Sequence, residues 1–180
     1  MTPFPVKPRT CKYCGLLFTP MRAMAAVCSP ICAIKLGKAS KAADKVALKK
    51  RKEAIKSRAD WQAEAQTAVN AFVRARDHLL PCISCGRMHE GQWHAGHYRS
   101  RGAAKHLALD PANLFKQCAP CNVHLHGNLI AYRSGFIARA GLAAVEAIEA
   151  DNTPRHHSID DLKAIKADYT ARTKQLKREL

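Results

Sequence analysis

The chain has 180 residues and a formal net charge of +16, with 30 Lys and Arg against 14 Asp and Glu, so it has room for one modest domain plus appendages rather than two large cores. Its hydrophobic content of 47% includes much alanine and only 6% of residues are aromatic, which implies small cores stapled by metal and extended by helices. The charge favours a polyanion, nucleic acid first, with ribosomal or membrane-surface binding as the alternative; no apolar run approaches a membrane span.

Residues 1–10 contain three prolines and read as an irregular lead-in, and the opening MTPFPVKPRT lacks the apolar core of a signal peptide. The next stretch, CKYCGLLFTPMRAMAAVCSPICAIKLG, pairs Cys11 with Cys14 and Cys28 with Cys32, separated by the 13 residues from Gly15 to Val27. Tetrahedral zinc takes four ligands and each pair supplies two. A zinc finger over 1–34 is therefore expected: a turn at Gly15, a short hairpin around Phe18, and a helix opened by Ser29 and Pro30. Eight cysteines in four close pairs suit zinc in a reducing cytosol; disulfides are the alternative.

Residues 35–80 read as helical. Lys35 to Arg58 carries ten Lys and Arg against Asp44 and Glu53, with no proline and no glycine after Gly37. That composition favours a long helix that lays lysines such as Lys45, Lys49, Lys52 and Lys56 along phosphate; a solvated, frayed spacer is the alternative. From Asp60 the pattern turns amphipathic, with Trp61, Ala65, Val69, Phe72, Val73 and Arg76 near helical spacing, and Pro81 is expected to end that helix.

Residues 81–151 hold the densest chemistry. Two C-x2-C knuckles, Cys82/Cys85 and Cys118/Cys121, lie 32 residues apart and predict a second closed structural zinc, with His89 as a possible substitute ligand. Between them WHAGHYRS is expected as the second strand of a short hairpin. The alanine-rich stretch from Gly127 to Asp151 predicts two helices broken near Gly135 or Gly141. In 152–180, Asn152 to His157 is a linker, and Ser158 with Asp161 three residues on makes a capping box that opens a last helix. Its Leu162, Ile165, Tyr169 and Leu176 form a stripe for packing or dimerisation.

Hydrolysis of a phosphodiester requires a base for water, neutralisation of charge on phosphorus, and stabilisation of the leaving oxygen. His97 is the candidate base at neutral pH. Asn113, 16 residues later, could fix the loop that aims it through bonds to backbone, and Asn122, directly after the last knuckle at a helix start, could present its carbonyl oxygen to a metal. His126 would lie one turn beyond Asn122 on the same face. Arg99 and Arg101 flank this group as candidate phosphate clamps, or as exposed turn residues.

The order His97, Asn113, Asn122 resembles the signature of HNH nucleases, with Asn in place of the last His, and four cysteines around it look like phage endonuclease VII. The closer resemblance is to the lambda NinG/Rap family of recombination endonucleases. It rests on the CxxC…CSPxC finger, the basic helix, QxAVNAFxRxRD, LPCISCG, QWxAGHYR, KQCxxCNxHxxGNL and AIKADY. The resemblance implies a mainly α fold with small β: an HNH ββα-metal core pinned by a four-cysteine zinc, an N-terminal four-cysteine zinc finger and long helices. It further implies a phage-encoded, metal-dependent endonuclease of the host cytosol that acts on branched DNA such as Holliday junctions and D-loops. Two structural Zn2+ and one catalytic divalent ion are expected with it.

One position departs from the family. Where the family carries Asp, this chain carries His94. An imidazole is a softer ligand than a carboxylate, so a site of His94, Asn122 and His126, with His124 as a possible fourth, shifts the expected ion from Mg2+ towards Mn2+, Ni2+ or Zn2+. His94 and His97 are three apart, on opposite faces of a regular strand, and a bulge at Gly96 is the expected remedy. Two-fold symmetry of a junction makes a homodimer the economical assembly, with the helices at 38–80 and 158–178 as candidate interfaces. The competing functions are a non-catalytic, zinc-stabilised recombination accessory protein and an HNH nuclease of linear duplex.

Overall fold

A computed structural model describes residues 7–22 and 24–179; the first six residues of the expected lead-in lie outside them. The fold is mainly helical with two small antiparallel sheets of two strands each. The chain divides between residues 56 and 57 into two units.

In the first unit, β1 (Arg9–Thr10) pairs with β2 (Leu17–Phe18) and α1 spans Pro30–Ala54. The expected turn forms at Gly15, whose φ of +75° belongs to glycine and whose N–H donates to Cys11 O at 3.0 Å. Ser29 caps α1 by accepting from Cys32 N at 3.2 Å, with Pro30 in the first turn. α1 starts five residues before Lys35 and buries none of its residues. Lys45, Lys49 and Lys52 are exposed on it, whereas Lys56, expected on the same helix, lies beyond its end in the break before α2.

The second unit begins with α2 (Arg58–Arg76), opened by a capping box of Ser57 and Asp60. It ends five residues before Pro81. The residue after it, Asp77, is 2% exposed and accepts from Arg76 Nε at 2.7 Å and Lys116 N at 2.9 Å, so the chain turns inward there. β3 (Trp93–His97) pairs in one-to-one register with β4 (Leu114–Cys118). β3 is thus the first strand of its pair, not the second strand of a short hairpin. The 16 residues that join it to β4 are held by their own buried Ala104, Leu107 and Leu109. The register also has no bulge at Gly96. A Cβ there would lie 2.2 Å from Gln117 Oε1, so the glycine admits the Gln117 side chain instead.

Two cores share β4. Leu114 joins Trp61, Ala65, Val69 and Val73 of α2, Ala95 of β3, and Leu162 of α5 (Ile159–Leu176). Phe115 points the other way, to Ile83, Tyr132 and Phe136 of α3 (Leu129–Ala140), and Val145 and Ile148 of α4 (Leu142–Ala150). The break between α3 and α4 is at Gly141. Gly135 sits inside α3, where a Cβ would lie 1.8 Å from Ile83 O, so it serves close helix approach rather than helix termination. The Ser158–Asp161 capping box forms as expected. The stripe of α5 packs within the chain: Leu162, Ile165 and Tyr169 meet α2, with the Tyr169 and Phe72 rings 5.1 Å apart. Among the described residues, no helix is long and apolar enough to cross a membrane.

Candidate functional site

The two cysteine tetrads assemble as predicted. Cys11, Cys14, Cys28 and Cys32 bring their sulfurs within 4.8 Å of one another, as do Cys82, Cys85, Cys118 and Cys121. Zinc–sulfur bonds of about 2.3 Å in a tetrahedron place sulfurs about 3.8 Å apart. The separations of 3.6 Å for Cys14–Cys28, 3.6 Å for Cys28–Cys32 and 3.9 Å for Cys85–Cys118 fit that figure. Both knuckles use the same turn, a left-handed glycine donating to the first cysteine carbonyl: Gly15 to Cys11 and Gly86 to Cys82, each at 3.0 Å. Backbone N–H groups also reach sulfur, Cys28 N to Cys11 and Cys118 N to Cys82, both at 3.4 Å. The N–H of Cys14 and its neighbours hold the Cys11 thiol down to about 6. Burial raises Cys82, but N–H groups of Cys118, Cys85 and Ser84 outweigh it and leave it at about 7. One thiol of each tetrad is thus favoured as thiolate and ready to ligate a metal, whereas hydrogen bonding with Cys32 and Cys14 pushes Cys28 up to about 12 and burial pushes Cys118 up to about 12. His89 Nε2 lies 3.1 Å from Cys85 Sγ and extends the second cluster without displacing a cysteine.

The second tetrad pins the ends of a strand–strand–helix unit. It fastens the 82–85 knuckle to the end of β4 and to a single wide helical turn, Pro120–His124, that leads towards α3. Among the described residues β3 pairs only with β4, and a cleft of about 420 Å³ opens beside it. The cleft is lined by both His94 and His97 of β3, with no bulge in the strand. Asn122, His126, Arg101 and Ser100 line it as well. From α2 come Asn70 and Arg74.

His97 Nε2 is 3.1 Å from Ala108 O. A neutral imidazole that donates from Nε2 keeps its lone pair on Nδ1. Burial pushes the His97 pKa below its ordinary value of 6.5; the Ala108 carbonyl opposes the shift and Arg101 adds to it. The carbonyl is itself fixed by Asn113, which is fully buried. Its Oδ1 accepts from Arg99 N at 2.8 Å, and its Nδ2 donates to Arg99 O at 3.0 Å and to Leu107 O at 3.2 Å. The amide thus ties the chain just after His97 to the residue before Ala108.

His94 Nδ1 accepts from Asn122 Nδ2 at 2.8 Å, and its Nε2 is buried with no partner. A half-turn of the Asn122 amide sets Oδ1 beside Nδ1, where the two share either the Nδ1–H of the other tautomer, which leaves the buried Nε2 lone pair open, or a cation. An orphaned buried nitrogen and this donor set fit a divalent ion of borderline softness. His126 departs from expectation. The wide turn ends before it and its φ is +49°, so a left-handed run through Gly127 (φ +92°) and Asn128 (φ +44°), not a helix face, brings it to the cleft. His124 is exposed and lines no part of the cleft. Among the described residues, no third His, Cys, Asp or Glu closes on His94 and His126 as a cluster.

Arg99 departs as well. Its guanidinium donates to Ile148 O at 3.1 Å and Asn152 Oδ1 at 3.0 Å, and so caps the end of α4 instead of facing a phosphate. Arg74 occupies the cleft in its stead. Sequence reasoning passed over Asn70 and Arg74; the signal was their spacing of four on the polar side of the α2 stripe, which sets them on one helix face.

The family model described as "Bacteriophage Lambda NinG protein" matches residues 4–179. Among curated relatives, the protein ninG of Salmonella phage P22 is 50% identical over 130 residues and that of Escherichia phage lambda 48% identical over 130 residues. Each alignment covers 72% of this chain and 64% of the relative. The protein ninG of Enterobacteria phage H19B is 41% identical over 188 residues, covering 94% of both chains. No solved structure matches.

Proposed function

This chain belongs to the bacteriophage lambda NinG family, and from that premise we propose that it is a metal-dependent endonuclease of HNH type that cuts branched DNA such as Holliday junctions and D-loops. The observation that carries the reading is the pairing, in one cleft, of a half-buried histidine kept neutral by its burial and anchored to a backbone carbonyl with a His94–Asn122 pair whose buried nitrogen lacks a partner.

In this reading His97, neutral at pH 7, takes the proton of the attacking water on Nδ1 while Nε2–H stays on Ala108 O. Asn113 holds that loop so the ring cannot turn. Arg74 and Arg101 bind the phosphate oxygens. His94 and Asn122, with His126 beside them, hold the divalent ion, and the ion when bound neutralises the phosphate and stabilises the departing oxygen. The imidazole donors favour Mn2+ or Ni2+ over Mg2+.

The basic residues on α1 supply non-specific grip, so binding falls steeply with salt. A homodimer would set two such clefts on opposed strands. Leu162, Ile165 and Tyr169 of α5 pack on α2 inside the chain, so of the candidate interfaces at 38–80 and 158–178 the part left open is the 38–54 stretch of α1. The test is cleavage of a labelled four-way junction across Mg2+, Mn2+ and Ni2+ by wild type and His97→Ala. Ion-dependent cutting that the variant loses supports the reading. Binding without cutting under every ion replaces it with a zinc-stabilised accessory protein.

A further inference from the structure

α2 carries a row of polar side chains at every fourth residue: Arg58, Gln62, Gln66, Asn70 and Arg74. Successive members are neighbours on the helix surface, so the row climbs most of the helix, about 24 Å, as a ridge that winds by about 40° per step. Asn70 and Arg74 line the candidate active cleft at one end. At the other end Arg58, Gln62 and Gln66 floor a second cavity of about 590 Å³, whose opposite wall carries Lys105, Arg155 and His157. Among the described residues, no Asp or Glu lines it.

Three features join the two cavities. Arg101 lines both. Gln66, buried in one, donates to Asn70 Oδ1 in the other at 2.9 Å, which leaves the Asn70 amide N–H groups to a ligand. Ala108 lines the second cavity and supplies the carbonyl that holds His97. The cations differ in availability. Arg58 Nε donates to His157 O at 3.0 Å, and Arg155 is paired with Asp110 and Asp151. Lys105 and Arg101 carry no such ion pair among those described, so the α2 row offers fixed amides and the residues facing it offer unneutralised charge.

We propose that this groove is the track for the nucleic-acid strand on one side of the cut. Its sugar–phosphate backbone lies along α2 from Arg74 towards Arg58. Amide donors of Gln62 and Asn70 bond the strand, and Arg101 and Lys105 neutralise successive phosphates. The length holds roughly four to seven nucleotides. The proposal rests on the endonuclease reading of the cleft but concerns binding, so it can be tested without catalysis.

The experiment is titration of a fluorescent four-way junction with the full chain, without added divalent ion, over a salt series. It compares wild type, the double variant Gln62→Glu/Lys105→Glu, and Gln62→Arg. Neither position lines the cleft that holds His94, His97 and Asn122. The double variant is expected to bind about tenfold more weakly at low salt, with a salt dependence shallower by about one to two phosphate contacts. Gln62→Arg is expected to tighten binding several-fold, a gain that a misfolded protein does not give. Affinity unchanged in both variants overturns the track and leaves the endonuclease reading standing. No junction binding by the wild type overturns both.

Discussion

His97 shows how one residue's surroundings set its chemistry. Burial and the nearby Arg101 charge both disfavour its cationic form, while the Ala108 carbonyl favours it, and the net shift is downward from 6.5. A base must be unprotonated to act, so a lowered value means the active form persists on mild acidification. The acid limb of kcat/KM for DNA cleavage is therefore expected to have its midpoint below pH 6.5, and in Arg101→Ala to move upward. A limb centred above 6.5 in the wild type contradicts this environment for the base. The residue types of this site were legible from their order around the second pair of knuckles, and Asn113 sits where a loop-fixing amide was expected. The aim of the side chains was not. His126 is delivered by a run of three left-handed residues, itself included, whose conformation its histidine does not announce, and Arg99 is drawn to the carbonyls at the end of α4, distant in sequence.

At the scale of elements, local signals were sufficient wherever the physics is local. Ser29 with Pro30, and Ser158 with Asp161, cap helices at the positions they announced, because a cap satisfies N–H groups within one turn. Strand order was misjudged because the partner of β3 lies across a 16-residue connection whose buried residues join both main cores, and periodicity in five residues says nothing of the partner. Gly135 illustrates the same limit. In sequence it reads as a break, whereas in the fold it lets α3 lie against the carbonyl of Ile83. Gly135→Ala forces a Cβ to within 1.8 Å of a backbone oxygen unless the helix moves. The expected cost is about 1–3 kcal/mol of stability, measured by urea unfolding. A variant as stable as wild type shows that α3 does not pack as described.

At the scale of the molecule, two apolar cores are supplemented by two cysteine tetrads that could hold metal. The 57–180 unit is tied by Cys82, Cys85, Cys118 and Cys121, which lock the knuckle before β3 to the turn that carries Asn122. Metal analysis of the purified chain should give two zinc ions, and Cys118→Ser should retain one while the 57–180 unit loses cooperative unfolding. Two zinc ions retained in that variant contradict the assignment of the second tetrad.

Every catalytic role assigned above depends on the proposed cutting of branched DNA in the cleft beside β3. It is tested most directly by cleavage of a labelled four-way junction and its matched linear duplex by wild type and His97→Ala, in Mn2+ and with no divalent ion. The account predicts cutting of the junction in preference to the duplex, only with the ion present, and a loss of at least about 100-fold in His97→Ala with junction binding intact. Cleavage by His97→Ala at the wild-type rate contradicts it.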